Sequence, residues 1–293
     1  MDRKKLQGTG VALVTPFYED YSIDFESLGK LIEHVIEGGV DYVVTMGTTG
    51  ESATLDQDER EAIMDFTVSS VKGRVPVVAG FGGNNTRAVI RSIHNYSFKG
   101  IDAILSVSPY YNKPGQEGIY QHYKAISENC EVPIILYNVP GRTSSNISAE
   151  TTLRLAEDFE NIIAIKEASG NLEQCMQIVS AKPDDFLVIS GEDALTLPMI
   201  AMGMDGVISV IANVEPRIYS SMVKLALEAQ FDSARDFHYR AMKLIPLLFR
   251  EGNPAGVKAA LAAKGLMKNI VRLPLAPASE ALQKEIEAVL KSL

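Results

Sequence analysis

The sequence predicts an α/β chain: a (β/α)8 TIM barrel followed by a C-terminal helical extension. Eight short apolar runs recur at even spacing, at 10–14, 42–45, 75–79, 103–107, 134–137, 162–165, 187–189 and 207–210. Runs this short are the length of strands buried on both faces, as in a parallel sheet. Amphipathic segments lie between most of them, and strand–helix alternation implies parallel strands joined by crossovers. No strand-like run follows Val210, and eight is the number at which such a sheet closes, which favours the barrel over a doubly wound sheet.

In chain order, segment 25–36 places Leu28, Leu31, Ile32 and Val35 on one helical face, and 58–71, 88–98 and 151–159 read the same way. The loop after the third run offers Asn84, Asn85 or Thr86 as a helix cap. From Glu215 on, only helical periodicity is found, at 215–229, 233–250, 254–264 and 279–293. Asn253 before Pro254 reads as an N-cap with proline at the first helical position. Residues 273–277 form a Pro-rich linker, and Ser279 opens the last helix, with Leu282 and Ile286 on its apolar face. The chain thus divides into a catalytic barrel, 1–229, and a C-terminal helical extension, 230–293.

Composition narrows the function. Of 293 residues, 46% are hydrophobic and 22% charged, a globular balance with ample material for a core. A formal charge of -9 argues against nucleic acid or anionic membranes as partners. Two cysteines, Cys130 and Cys175, both in helix-like segments, make no disulfide framework and fit a reducing cytoplasm. The apolar run after the charged N-terminus is too short for a signal peptide. No segment approaches the roughly 20 apolar residues of a membrane span. The four histidines, His34, His94, His122 and His238, are scattered, so no metal site is expected. Gly80-Phe81-Gly82-Gly83-Asn84-Asn85 begins like a dinucleotide fingerprint, but Asn85 stands at its last glycine.

Active sites of such barrels lie at the C-terminal strand ends. There the sequence places a convergent set. Lys166 stops the sixth apolar run. Burial disfavours the ammonium form of a lysine, and a free amine attacks carbonyl carbon, the route to a Schiff base. Alternatively, such a lysine snorkels out and pairs with a carboxylate. Gly47-Thr48-Thr49-Gly50-Glu51 is a tight turn whose backbone N–H groups can face an anion. Ser108-Pro109-Tyr110-Tyr111 puts two tyrosines in one loop, pointing different ways. Tyr137 ends the fifth run and can pass a proton, while Arg142, after a Pro-Gly turn, can hold a carboxylate with its fork. Together these residues suggest carbonyl chemistry with proton shuttling and carboxylate binding.

Those motifs, with Tyr137-Asn138-Val139-Pro140-Gly141-Arg142-Thr143, Ile165-Lys166-Glu167-Ala168-Ser169-Gly170 and Ser190-Gly191-Glu192-Asp193, resemble the dihydrodipicolinate synthase family over the full length. N-acetylneuraminate lyase belongs to the same superfamily. Thr49, the tyrosine pair and Arg142 resemble the synthase branch. The resemblance implies a lyase that joins pyruvate to L-aspartate 4-semialdehyde in the diaminopimelate and lysine pathway. It implies Lys166 as the Schiff-base lysine, and Tyr137, Thr48 and Tyr111 as a proton relay, with Tyr111 lent across a dimer interface. Thr49, Gly191 and Ile208 would contact substrate or line its pocket, and Arg142 would take the aldehyde. No cofactor is then required, and a cytoplasmic homotetramer is expected. The rivals are another pyruvate-dependent aldolase, such as a sialic-acid or sugar-acid lyase, and a non-catalytic barrel serving as a regulator. Ser52, Ala53, Asn84 and Tyr110 match the family's allosteric lysine site. Gln57 and Arg60 replace histidines of lysine-sensitive relatives there, and Ala88 replaces a glutamate.

Overall fold

Each strand of a barrel must bury both faces, one against the other strands' inward side chains and one against the helices. That requirement is met by eight parallel strands in sequential order: β1 (Gly8–Ala12), β2 (Tyr42–Thr45), β3 (Val77–Gly80), β4 (Ala103–Val107), β5 (Ile134–Asn138), β6 (Ile162–Glu167), β7 (Leu187–Ser190) and β8 (Gly206–Ser209). Pairing of β8 with β1 closes the barrel. The structure, a computed structural model, describes residues 3–293. Every expected run becomes a strand, and the boundaries move by two residues or fewer.

The helices are α1 (Phe25–Glu37), α2 (Gln57–Val71), α3 (Thr86–Asn95), α4 (Gln116–Ser127), α5 (Pro140–Thr143), α6 (Ala149–Asp158), α7 (Leu172–Ala181), α8 (Thr196–Ala201) and α9 (Pro216–Leu227). The extension adds α10 (Phe231–Ala241), α11 (Ile245–Phe249), α12 (Ala255–Ala263) and α13 (Glu280–Leu290). Short polar side chains start many of them. Asp24, Asn85, Ser148, Asn171 and Ser279 each accept a backbone N–H from the first turn, and Asp56 forms a reciprocal capping box with Glu59. Of the three caps offered after the third run, the chain uses Asn85.

Two hydrophobic layers follow from strand alternation. Inside the barrel lie Leu6, Ala12, Tyr42, Val44, Leu105, Ile135, Ile163, Ile189 and Ile208. Outside it, Val11, Val43, Ile104, Ile134, Leu136, Ile165, Val188 and Val207 face the helices. Gly10 leaves room for Tyr42, since a methyl there would lie 2.2 Å from the ring.

Four expectations are corrected. The helix expected at 233–250 divides into α10 and α11, and Pro246, which has no N–H to donate, falls in the first turn of α11. The helix expected at 88–98 ends at Asn95, because Tyr96 and Phe98 turn inward onto Phe81, with ring centroids 5.7 and 5.2 Å away. Cys130 lies beyond the end of α4 rather than in a helix. Asn253 does not cap α12: Pro254 occupies the cap, and the Asn253 side chain turns toward the barrel mouth. The expected boundary at 229/230 falls between α9 and α10.

Candidate active site

Alternation along β5 and β6 decides which side chains reach the barrel interior. On β5, Ile135 and Tyr137 point inward, while Ile134 and Leu136 face the helices. On β6 the register with β5 shifts by one residue at Ile163, and beyond it Ala164 points inward and Ile165 outward, so Lys166 is inward and Glu167 outward. Tyr137 and Lys166 are register partners on neighbouring strands. Lys166 Nζ sits 4.5 Å from the Tyr137 ring centroid. Lys166 is 6% exposed. Among the described residues, no carboxylate pairs with it, so the snorkelling ion pair is not what the chain builds.

Both side chains line a cavity of about 250 Å³ at the C-terminal barrel mouth, together with Thr48, Thr49, Arg142, Gly191, Glu192 and Asn253. The Thr48–Gly50 turn follows β2 and closes on Glu51, whose backbone is left-handed at φ 56°. Thr49 is buried, and its Oγ1 accepts a hydrogen bond from Asn253 Nδ2 at 2.9 Å. Arg142 stands exposed on the single-turn helix α5, at the edge of this cavity. Glu192 is the one carboxylate among the lining residues, and burial raises its pKa, reinforced by neighbouring Asp193. Burial likewise raises the pKa of Asp193, although Val210 and Ile211 donate backbone N–H groups to it at 3.0 and 2.9 Å.

Two expected residues lie elsewhere. Ile208 is packed inside the barrel with Ala12 and Tyr137, and the cavity residue after β8 is Val210. Tyr111 is 88% exposed, in a left-handed conformation at φ 72°, and does not line the cavity of its own chain.

A second, open cavity of about 600 Å³ adjoins the first and shares Gly47, Thr48, Leu105 and Tyr137 with it. Ser52, Ala53, Asn84 and Tyr110 all line it, as do Gln57, Arg60 and Ala88. Arg60 Nη2 donates to the Ser52 carbonyl at 2.6 Å and Nε to the Leu55 carbonyl at 3.1 Å. Glu61 also lines this cavity and accepts a hydrogen bond from Gln57 at 2.9 Å.

The outward face of β6 holds a polar network that sequence reasoning missed. Glu167 is fully buried. Asn138 Nδ2 donates to both its oxygens at 3.1 and 3.0 Å, Ser169 N–H at 2.8 Å and Gln174 Nε2 at 2.8 Å. Asn138 Oδ1 in turn accepts the Ile147 N–H at 2.9 Å. A buried carboxylate needs this many donors, and they fix the strand ends that carry Tyr137 and Lys166. Asn253 reads from the sequence only as a helix cap, because proline follows it, and nothing local signals its place in this cavity. Among the described residues, no three His, Cys, Asp or Glu side chains gather as a metal site, and no helix is long and apolar enough to cross a membrane.

The family model described as the dihydrodipicolinate synthetase family matches residues 5–293. A 4-hydroxy-tetrahydrodipicolinate synthase of Parabacteroides distasonis is 53% identical over 288 residues, covering 98% of this chain and 97% of the relative. The crystal structure of dihydrodipicolinate synthase from Aquifex aeolicus superposes with a TM-score of 0.95 at 43% identity, over 98% of each chain. That of the Acinetobacter baumannii enzyme complexed with pyruvate has a TM-score of 0.95 at 40% identity, again over 98% of each chain. With a family match over nearly its whole length, the chain belongs to the dihydrodipicolinate synthetase family.

Proposed function

We propose that the protein condenses pyruvate with L-aspartate 4-semialdehyde and cyclises the product to 4-hydroxy-tetrahydrodipicolinate, a lyase-class step in diaminopimelate and lysine biosynthesis. The observation that carries this reading is Lys166, buried on the inward face of β6 beside Tyr137, with no paired carboxylate among the described residues. The names of the relatives support the same reaction, and the pyruvate complex of the A. baumannii relative supports the keto acid.

The chemistry follows from the residues around the cavity. The Lys166 amine attacks the ketone carbon of pyruvate, and water leaves to give an imine. The protonated imine draws electrons as a methyl proton departs, forming an enamine. Tyr137, Thr48 and a partner chain's copy of Tyr111 move these protons. The Thr48–Thr49 turn holds the pyruvate carboxylate, and Gly191 allows close approach beside the lysine stem. The enamine carbon then bonds to the aldehyde carbon, while Arg142 at the cavity edge holds the aldehyde's carboxylate with its fork. The substrate amine attacks the imine carbon, the ring closes, and Lys166 is released. The lysine supplies the covalent chemistry, so no cofactor takes part.

The high exposure of Tyr111 suits a residue that completes a neighbour's site, and we propose a homotetramer built as a pair of dimers. Two buried free thiols, Cys130 and Cys175, suit a cytoplasmic setting.

Borohydride reduction with pyruvate should add a pyruvate-derived mass at Lys166 and none in Lys166→Ala. Labelling that persists in Lys166→Ala removes this assignment. Turnover with a panel of aldehydes separates the synthase from a sugar-acid lyase, and the Arg142 fork favours the short amino-acid aldehyde.

A further inference from the structure

Glu51 is a poor residue to bury, yet its side chain is fully buried in a left-handed turn. A buried carboxylate is tolerated only when paired and hydrogen-bonded. Its ionic and backbone partners come from beyond residue 250. Lys258 of α12, itself fully buried, forms an ion pair with it. The Arg272 backbone N–H donates to its Oε2 at 2.9 Å. Lys258 is fixed in turn, donating to the Ile270 carbonyl at 2.8 Å with its Nζ 4.2 Å from the Phe17 ring centroid.

The same extension reaches the turn a second time. Asn253 Nδ2 donates to Thr49 Oγ1 at 2.9 Å. A hydroxyl that accepts at its oxygen keeps its one hydrogen free to donate. Asn253 therefore leaves the Thr49 O–H available to an anion in the cavity that both residues line. On the barrel side, Thr15 Oγ1 donates to the Gly50 carbonyl at 2.7 Å. The backbone from Thr48 to Glu51 is thus suspended between the barrel and the helical extension.

We infer that Lys258, Glu51 and Asn253 are positioning residues, which hold the Thr48–Thr49 turn in the geometry that receives the pyruvate carboxylate. The C-terminal extension then sets pyruvate affinity as well as stability. Lys258 has a second effect, because it neutralises a carboxylate next to an anion-binding turn. The inference rests on the proposed reading of that turn as the carboxylate site.

The test compares full-length Lys258→Met, the double variant Glu51→Gln/Lys258→Met, Asn253→Ala and Thr49→Val with the unaltered protein. Pyruvate KM, kcat and thermal midpoint are measured for each. Removing one member of a buried pair strands the other, so Lys258→Met should lose thermal stability that the neutral double variant regains. Pyruvate KM should nevertheless rise about tenfold in the double variant, because the turn has lost its ion-paired anchor although no charge is left unpaired. It should rise about tenfold in Asn253→Ala, with kcat changing less. If Lys258→Met fails to fold, the double variant and Asn253→Ala carry the test. A double variant and Asn253→Ala that are both stable with unaltered pyruvate KM overturn the inference and leave the ion pair a purely structural device. Thr49→Val separates the two layers. A raised KM there with normal clamp variants sinks only the positioning role, whereas an unchanged KM in Thr49→Val sinks the turn as carboxylate site and the clamp with it.

Discussion

One added methyl group at Gly191 probes the spacing on which the proposed imine chemistry depends. A Cβ at Gly191 would lie 2.5 Å from the Ala168 Cβ and 3.0 Å from the Lys166 Cε. Carbon atoms rest about 3.5–4.0 Å apart, so the overlap is about 1 Å with Ala168 and somewhat less with the lysine stem. Neither backbone can withdraw freely. The Ala168 N–H donates to the Asn138 carbonyl at 2.9 Å, and the Gly191 N–H to the Glu167 carbonyl at 2.8 Å. The lysine stem is the softest neighbour and takes much of the displacement. Overpacking of this size costs about 1–3 kcal/mol, equivalent to a few degrees of thermal midpoint. Moving a reacting atom by about 1 Å can cost about a hundredfold in rate. Gly191→Ala should therefore fold, melt a few degrees lower and form the borohydride-trapped pyruvate adduct about a hundredfold more slowly. Gly115→Ala, where a methyl would meet nothing within 4 Å, serves as the control. Unaltered trapping and turnover in a folded Gly191→Ala would refute the placement of the Lys166 stem against Gly191.

Three further outcomes are expected. Tyr137→Phe should lower turnover by more than about tenfold, the lower end for general acid–base groups being about a hundredfold, and steady-state kinetics with both substrates checks it. Mixing inactive Tyr111→Phe with inactive Lys166→Ala should restore activity, since a hybrid site would hold both native residues. If subunits demonstrably exchange and no activity returns, Tyr111 acts within its own chain. L-Lysine titrated against initial rate near the pyruvate KM should inhibit weakly or not at all, because Ala88 offers no carboxylate and Arg60 adds a positive charge to the second cavity. Strong inhibition at sub-millimolar lysine would show that Glu61 or another group supplies the missing partner.

The barrel was legible because a strand buried on both faces must be short and apolar, and nothing else in this chain produces eight such runs. Lys166 was legible for the opposite reason: it interrupts an apolar run that the fold places in the interior. Its neighbour Glu167 was not. A carboxylate next to a strand end looks solvated in one dimension, and only the crossover places Asn138, Ser169 and Gln174 around its outward face. Helix ends were blurred where aromatic packing overrode periodicity, as at Tyr96 and Phe98 on Phe81.

Asn253 shows most sharply where one-dimensional reasoning stops. Asparagine followed by proline is a sound helix-start signal, and a helix does begin two residues later, at Ala255. Yet the Asn253 side chain spends its donor on Thr49, 204 positions away along the chain. Glu51 and Lys258 pair across a comparable separation. Such contacts leave no local pattern, because the residue types are those of an ordinary cap, an ordinary turn and an ordinary helix. They also change what the division at residue 229 means. A barrel closes with β8, but the turn proposed to hold pyruvate is completed by α12 and the segment before it. A chain truncated after α9 would keep all eight strands, Lys166 and Tyr137, yet leave Glu51, beside the proposed anion site, without the cation and the backbone N–H that hold it.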